Sequence, residues 1–81
     1  MRDQEKDQLR SVILQLLAKG IPYRFTNLEK CTVSSCMAFA TSNTFRRQLY
    51  GYLLANGYVE RTSRGVYRIT DRGRKLLAVL S

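Results

Sequence analysis

Between Asn56 and Gly73 the spacing of apolar residues changes twice. Asn56-Gly57 closes a stretch of helical period. Tyr58-Val59-Glu60-Arg61-Thr62 and Val66-Tyr67-Arg68-Ile69-Thr70 then partly alternate apolar and polar residues, with Ser63-Arg64-Gly65 between them. Alternation suits half-buried strands, and a short gap containing a glycine free to take positive φ suits a tight hairpin turn. Val59, Tyr67 and Ile69 form the expected inward set. Thr70 and Asp71 then mark the start of another helix, with a hydroxyl cap followed by a carboxylate at the positive end of the helix dipole. A helix, a hairpin and a second helix thus follow one another without a linker. The rest of the chain must supply the core on which they pack.

The preceding residues read as helices. Over residues 3–19, Leu9, Val12, Ile13, Leu16 and Leu17 recur at helical spacing and make one apolar face. Asp3, Glu5 and Asp7 sit in the first turns, Gly20 is a left-handed stop, and Pro22 prevents an immediate restart. Ile21 to Phe25 reads as an extended connection with room for a third, edge strand beside the hairpin. Thr26 and Glu29 have capping-box spacing, so a second helix is expected there, burying Leu28 and Cys31. It is expected to turn near Ser34-Ser35, with a further helical turn through Met37 and Phe39. Ser42 is the expected N-cap of a third helix over 43–56. Phe45, Leu49, Tyr52, Leu53 and Asn56 share one arc of that helix, Arg46, Arg47, Tyr50 and Gly51 fall outside it, and Leu54 lies nearly opposite the core.

Composition narrows the function classes. The formal charge is +8 over 81 residues, with a pI near 10.1, as expected of a protein whose partner is rich in phosphates. The charge is concentrated late. From residue 40 onward eight basic residues face only Glu60 and Asp71, a net +6, while residues 1–39 carry the remaining +2. The absence of histidine removes the commonest general base and metal ligand. With no phosphate-cradling glycine loop and no paired carboxylates outside the first helix, an enzyme is not expected, nor is any cofactor or metal. Cys31 and Cys36 are read as buried reduced thiols, with a disulfide within or between chains as the alternative. The polar first residues and short apolar runs indicate neither a signal peptide nor a membrane span, so a cytoplasmic location, or the host cytoplasm, is expected.

The order helix, short strand, helix, helix, β-hairpin, helix resembles a winged helix-turn-helix domain. Asn56-Gly57-Tyr58-Val59-Glu60-Arg61 is similar to the join between recognition helix and wing. Tyr67-Arg68-Ile69-Thr70-Asp71-Arg72-Gly73-Arg74-Lys75-Leu76-Leu77 is similar to the step from wing to final helix in MarR- and PadR-like regulators. The likeness spans about residues 9–77 and is strongest over 45–77. It departs from the family in a longer segment between the second and third helices, a short wing and the lack of a ligand-binding extension, so no small-molecule effector is evident. The compact winged proteins of archaea and their viruses and plasmids look most similar. The resemblance implies an α+β fold over residues 1–81, with a three-helix core, a wing at 58–70 and a C-terminal helix.

It also implies sites. The third helix would enter the major groove of double-stranded DNA and the wing would lie on the flanking minor groove or backbone. That places Ser42, Asn43, Thr44, Arg46, Arg47 and Tyr50 at the duplex. Arg46 and Arg47 suit either guanine edges or phosphates, and Asn43 suits adenine. Arg61, Arg64 and Arg68 would contact backbone or minor groove. The last helix carries Leu76, Leu77, Val79 and Leu80, more apolar surface than one small core needs, which points to a homodimer interface. The expected function is sequence-specific duplex binding by a transcriptional regulator. The alternatives are a DNA-organising or partition protein, or an RNA- or ribosome-associated module.

Overall fold

The computed structural model describes residues 3–20, 23–36 and 38–80. The expected roles of Ile21, Pro22 and Met37 lie outside the described residues. The architecture is α+β: four helices and a three-stranded antiparallel sheet. Helix α1 spans Asp3–Leu17, strand β1 Tyr23–Arg24, and α2 Phe25–Ser35. Helix α3 spans Ser42–Gln48 and continues through a wider π-helical stretch, Leu49–Leu54. Strands β2 (Val59–Ser63) and β3 (Val66–Ile69) form the hairpin, and α4 spans Asp71–Leu80. The sheet order is β1-β3-β2, so the extended residues before α2 do add an edge strand, Tyr23 pairing with Tyr67. Among the described residues no helix is long and apolar enough to cross a membrane.

Local chemistry explains most boundaries. Gly20 takes the left-handed conformation after α1, at φ 85°. In the hairpin turn Gly65 does the same, at φ 73°. At the start of α4 the Thr70 hydroxyl accepts the Gly73 N–H at 3.0 Å and donates to the Gly57 carbonyl at 2.6 Å. One threonine thus caps α4 and ties it to the chain entering the hairpin. Val59, Tyr67 and Ile69 are buried, as the alternation requires.

Four expectations about α1, α2 and the cap of α3 are corrected. In α1 the fully buried set is Leu9, Ile13, Leu14 and Leu17. Leu14 joins them while Val12 and Leu16 are only half-buried, because α1 packs against α2, α3 and α4 together and so buries more than its densest stripe. Thr26 and Glu29 do not form a capping box. Helix α2 begins two residues earlier, at Phe25 with Arg24 as N-cap, and the Phe25 N–H donates to the Gly65 carbonyl at 2.7 Å. A tertiary partner replaces the side-chain cap. Further along α2, Thr32 is buried and Cys31 is exposed. Finally, Thr41 rather than Ser42 caps α3. The Thr41 hydroxyl accepts the Thr44 N–H at 3.2 Å, while the Thr44 hydroxyl accepts the Thr41 N–H at 2.8 Å, a reciprocal box.

The π-helical stretch changes which side chains align. There the hydrogen bonds run from i to i+5, and the helix closes on left-handed Gly57, where the Tyr58 N–H donates to the Leu53 carbonyl at 2.9 Å and the Gly57 N–H to the Leu54 carbonyl at 3.2 Å. Leu54, within this stretch, is half-buried and packs on the core instead of lying opposite it. The core closes around Leu9, Ile13, Leu28, Phe45, Leu49 and Leu53, all fully buried. Each such side chain contributes roughly 1.5–3 kcal/mol relative to exposure.

Candidate nucleic-acid interface

Helix α3 is held from behind by one polar device. Arg10 of α1 donates from Nε to Gln48 Oε1 at 2.7 Å, and its guanidinium lies 3.5 Å above the Tyr52 ring. Asp7 sits 3.6 Å from the same guanidinium. Sequence patterning left Gln48 unremarked because its partner lies 38 residues away. The contact satisfies a buried amide and presents the opposite side of α3 to solvent.

On that outer side Ser42 and Asn43 are exposed. Thr44 is half-buried, and its hydroxyl is occupied by the cap and by the Thr41 carbonyl at 2.9 Å. Arg46 and Arg47 are both exposed but differ in freedom. Arg46 Nε lies 3.6 Å from a buried oxygen of Glu29, and its guanidinium sits 5.6 Å from the Phe25 ring. Arg47 has no ion pair, hydrogen bond or ring contact among the described residues. It is therefore the more available of the two for a ligand.

Tyr50 joins helix to hairpin. Its ring stacks on Phe25 at 5.8 Å and meets Tyr67 edge-on at 6.2 Å. The Tyr50 and Tyr67 hydroxyls are hydrogen-bonded at 3.3 Å, and Tyr50 remains 42% exposed. Burial of the phenol and this hydrogen bond push its pKa up to about 12, against the positive charges of Arg46 and Arg61. Arginines from both α3 and β2 thus act electrostatically on one tyrosine.

Strand register separates the hairpin arginines. Arg61 is paired with Tyr67, so both side chains leave the same face of the sheet, toward Tyr50. Glu60 is paired with Arg68 on the opposite face, where the two side chains form an ion pair. Arg68 therefore does not share a surface with Arg61, and its charge is already compensated. The irregularity between Arg61 and Ser63 bends β2 before the turn, and Arg64 at the tip is exposed without a partner among the described residues. Arg24, on β1, is exposed and equally unpaired, although the sequence singled it out for nothing. The extended reading of residues 21–25 had already set it beside the hairpin. Its lack of an acidic partner emerges only in three dimensions.

The remaining assignments divide. Leu76, Leu77 and Leu80 are half-buried against the core, and Val79 is 80% exposed. Val12 and Leu80 line a groove between α1 and α4. Cys31 and Cys36 are free thiols, so the disulfide between them is absent. Cys31 faces outward and Cys36 is buried at the end of α2, where burial raises its pKa. Among the described residues no group of three or more cysteine, aspartate or glutamate side chains gathers as a metal site would require. Comparisons with protein-family models, curated proteins and solved structures return no match.

Proposed function

We propose that the chain is a winged-helix protein that binds double-stranded DNA sequence-specifically as a homodimer, acting as a transcriptional regulator. In this reading α3 enters the major groove and the β2–β3 hairpin is the wing. The observation that carries it is the junction at Tyr50. A helix start bearing Asn43 and Arg47 and a hairpin bearing Arg61 and Arg64 are joined there, and none of the three arginines has an acidic partner. Uncompensated cations on a rigid scaffold are what phosphate neutralisation requires. Arg46 and Arg68, each held by a glutamate, take supporting roles. The half-buried leucines of α4 and exposed Val79 supply the apolar surface for pairing, and two copies would span half-sites about one helical turn apart.

Footprinting on genomic fragments, combined with sedimentation in reducing buffer, tests this. A discrete protected site with two-fold symmetry and a dimer in solution is expected. Uniform protection at all sequences would replace regulation with DNA coating. Preference for RNA over duplex would move the protein to the RNA-associated class.

A further inference from the structure

Arg24 and Arg64 line one groove, between the start of α2 and the hairpin turn, with Phe25, Thr26 and Val66 along its walls. Both arginines are exposed, and neither makes an ion pair, side-chain hydrogen bond or ring contact among the described residues. The structure compensates other arginines: Arg10 by Asp7, Arg46 by Glu29 and Arg68 by Glu60. Two exposed like charges on one groove repel each other only weakly through water, and together they attract an anion to the space between them.

The two arginines are held on a fixed frame. Arg24 is paired with Val66 in the β1–β3 ladder. The next residue, Phe25, donates its N–H to the Gly65 carbonyl at 2.7 Å, directly beside Arg64. The Phe25 ring stacks on Tyr50, which links the groove to the outer side of α3. Backbone hydrogen bonds thus hold the attachment points of the two side chains on one ordered frame, and the exposed side chains reach an anion from there.

We propose that Arg24 and Arg64 together hold a backbone phosphate of the bound duplex, making Arg24 a nucleic-acid contact. Strand register places Arg24 on the sheet face of Val66, opposite Arg61, so the contact lies at the turn and edge of the hairpin; it rests on the reading of the chain as a duplex-binding protein. A phosphate contact of this kind is blind to sequence and sensitive to salt.

The test measures the affinity of the full chain for its footprinted duplex, as a function of salt, for wild type, R24A, R24K, R64A and the double alanine variant. Circular dichroism melts serve to verify that each exposed-site variant is folded. R24A removes one contact from each subunit of the dimer and is expected to lower the slope of log affinity against log salt by about 1.8. Its deficit relative to wild type then grows about twelvefold between about 200 and about 50 mM salt. R24K retains the slope, and R24A weakens unrelated duplexes as much as the preferred one. An R24A protein with the wild-type slope and affinity overturns the assignment while leaving duplex binding intact. A wild-type protein that binds no duplex DNA overturns the reading beneath it as well.

Discussion

Replacing Gly73 by alanine sets helix propensity against packing, and the structure decides the sign. Gly73 lies in the first turn of α4, where alanine gains about 1 kcal/mol over glycine in an unobstructed helix. A Cβ at this position would sit 2.7 Å from Ile69 Cγ1 and 3.0 Å from the Tyr58 carbonyl carbon, with the Tyr58 oxygen closer still. The Ile69 side chain can rotate away, but the Tyr58 carbonyl cannot. It accepts the Thr70 N–H at 3.1 Å, and Thr70 in turn grips Gly57. The helix must therefore move off the hairpin. Overpacking against immobile groups costs about 3 kcal/mol, at the upper end of its usual range. The net loss is about 2 kcal/mol, a fall in Tm of about 8–16 °C for a chain of this size. Gly51 is the internal control: it is exposed, lacks a positive φ, and has nothing within 4 Å of a built Cβ. Gly51→Ala should stabilise by about 0.5–1 kcal/mol. Thermal and urea unfolding followed by circular dichroism read both. Equal or higher stability in Gly73→Ala would refute the claim that α4 is locked onto the Tyr58 backbone.

Arg64→Ala should weaken binding to all duplexes alike, by about 1 kcal/mol, whereas Arg47→Ala or Asn43→Ala should cost about 1–3 kcal/mol on the preferred site alone; competition gel shifts separate the two patterns. Under native conditions a thiol reagent should modify Cys31 rapidly and Cys36 only after denaturation, so two fast thiols per chain would contradict the burial of Cys36. In an alkaline absorbance titration, Tyr50→Phe should remove a phenol that ionises near pH 12. Because the folded pKa lies above the ordinary value of 10.0, the contribution of Tyr50 to stability is complete below pH 10 and is lost as pH rises toward 12. Alkaline unfolding midpoints of wild type and Tyr50→Phe measure that difference, and identical midpoints would contradict it.

Features set by neighbours in sequence were legible from the chain alone. Thr70 before Asp71, Gly65 in the turn, Gly20 after α1 and the Val59, Tyr67, Ile69 alternation each act over a few residues, through caps, permitted φ values and strand period. The basic second half and the position of Arg46 and Arg47 outside the apolar arc of α3 were visible for the same reason. Tertiary structure decided which cations remain free. Arg46 and Glu29 are 17 positions apart, and Arg10 and Gln48 are 38 apart, so periodicity carries no trace of either contact. Arg61 and Arg68 look equivalent in a list of basic residues, yet strand register sends them to opposite faces and gives Glu60 to only one. The start of α2 was misplaced because its cap is the Gly65 carbonyl, a backbone group with no sequence signature. Leu54 was misplaced because local period assumes 3.6 residues per turn, and a π-helical stretch spaces side chains differently. Charge compensation and helix registration depend on distances between elements, which the chain order does not specify until the core has closed.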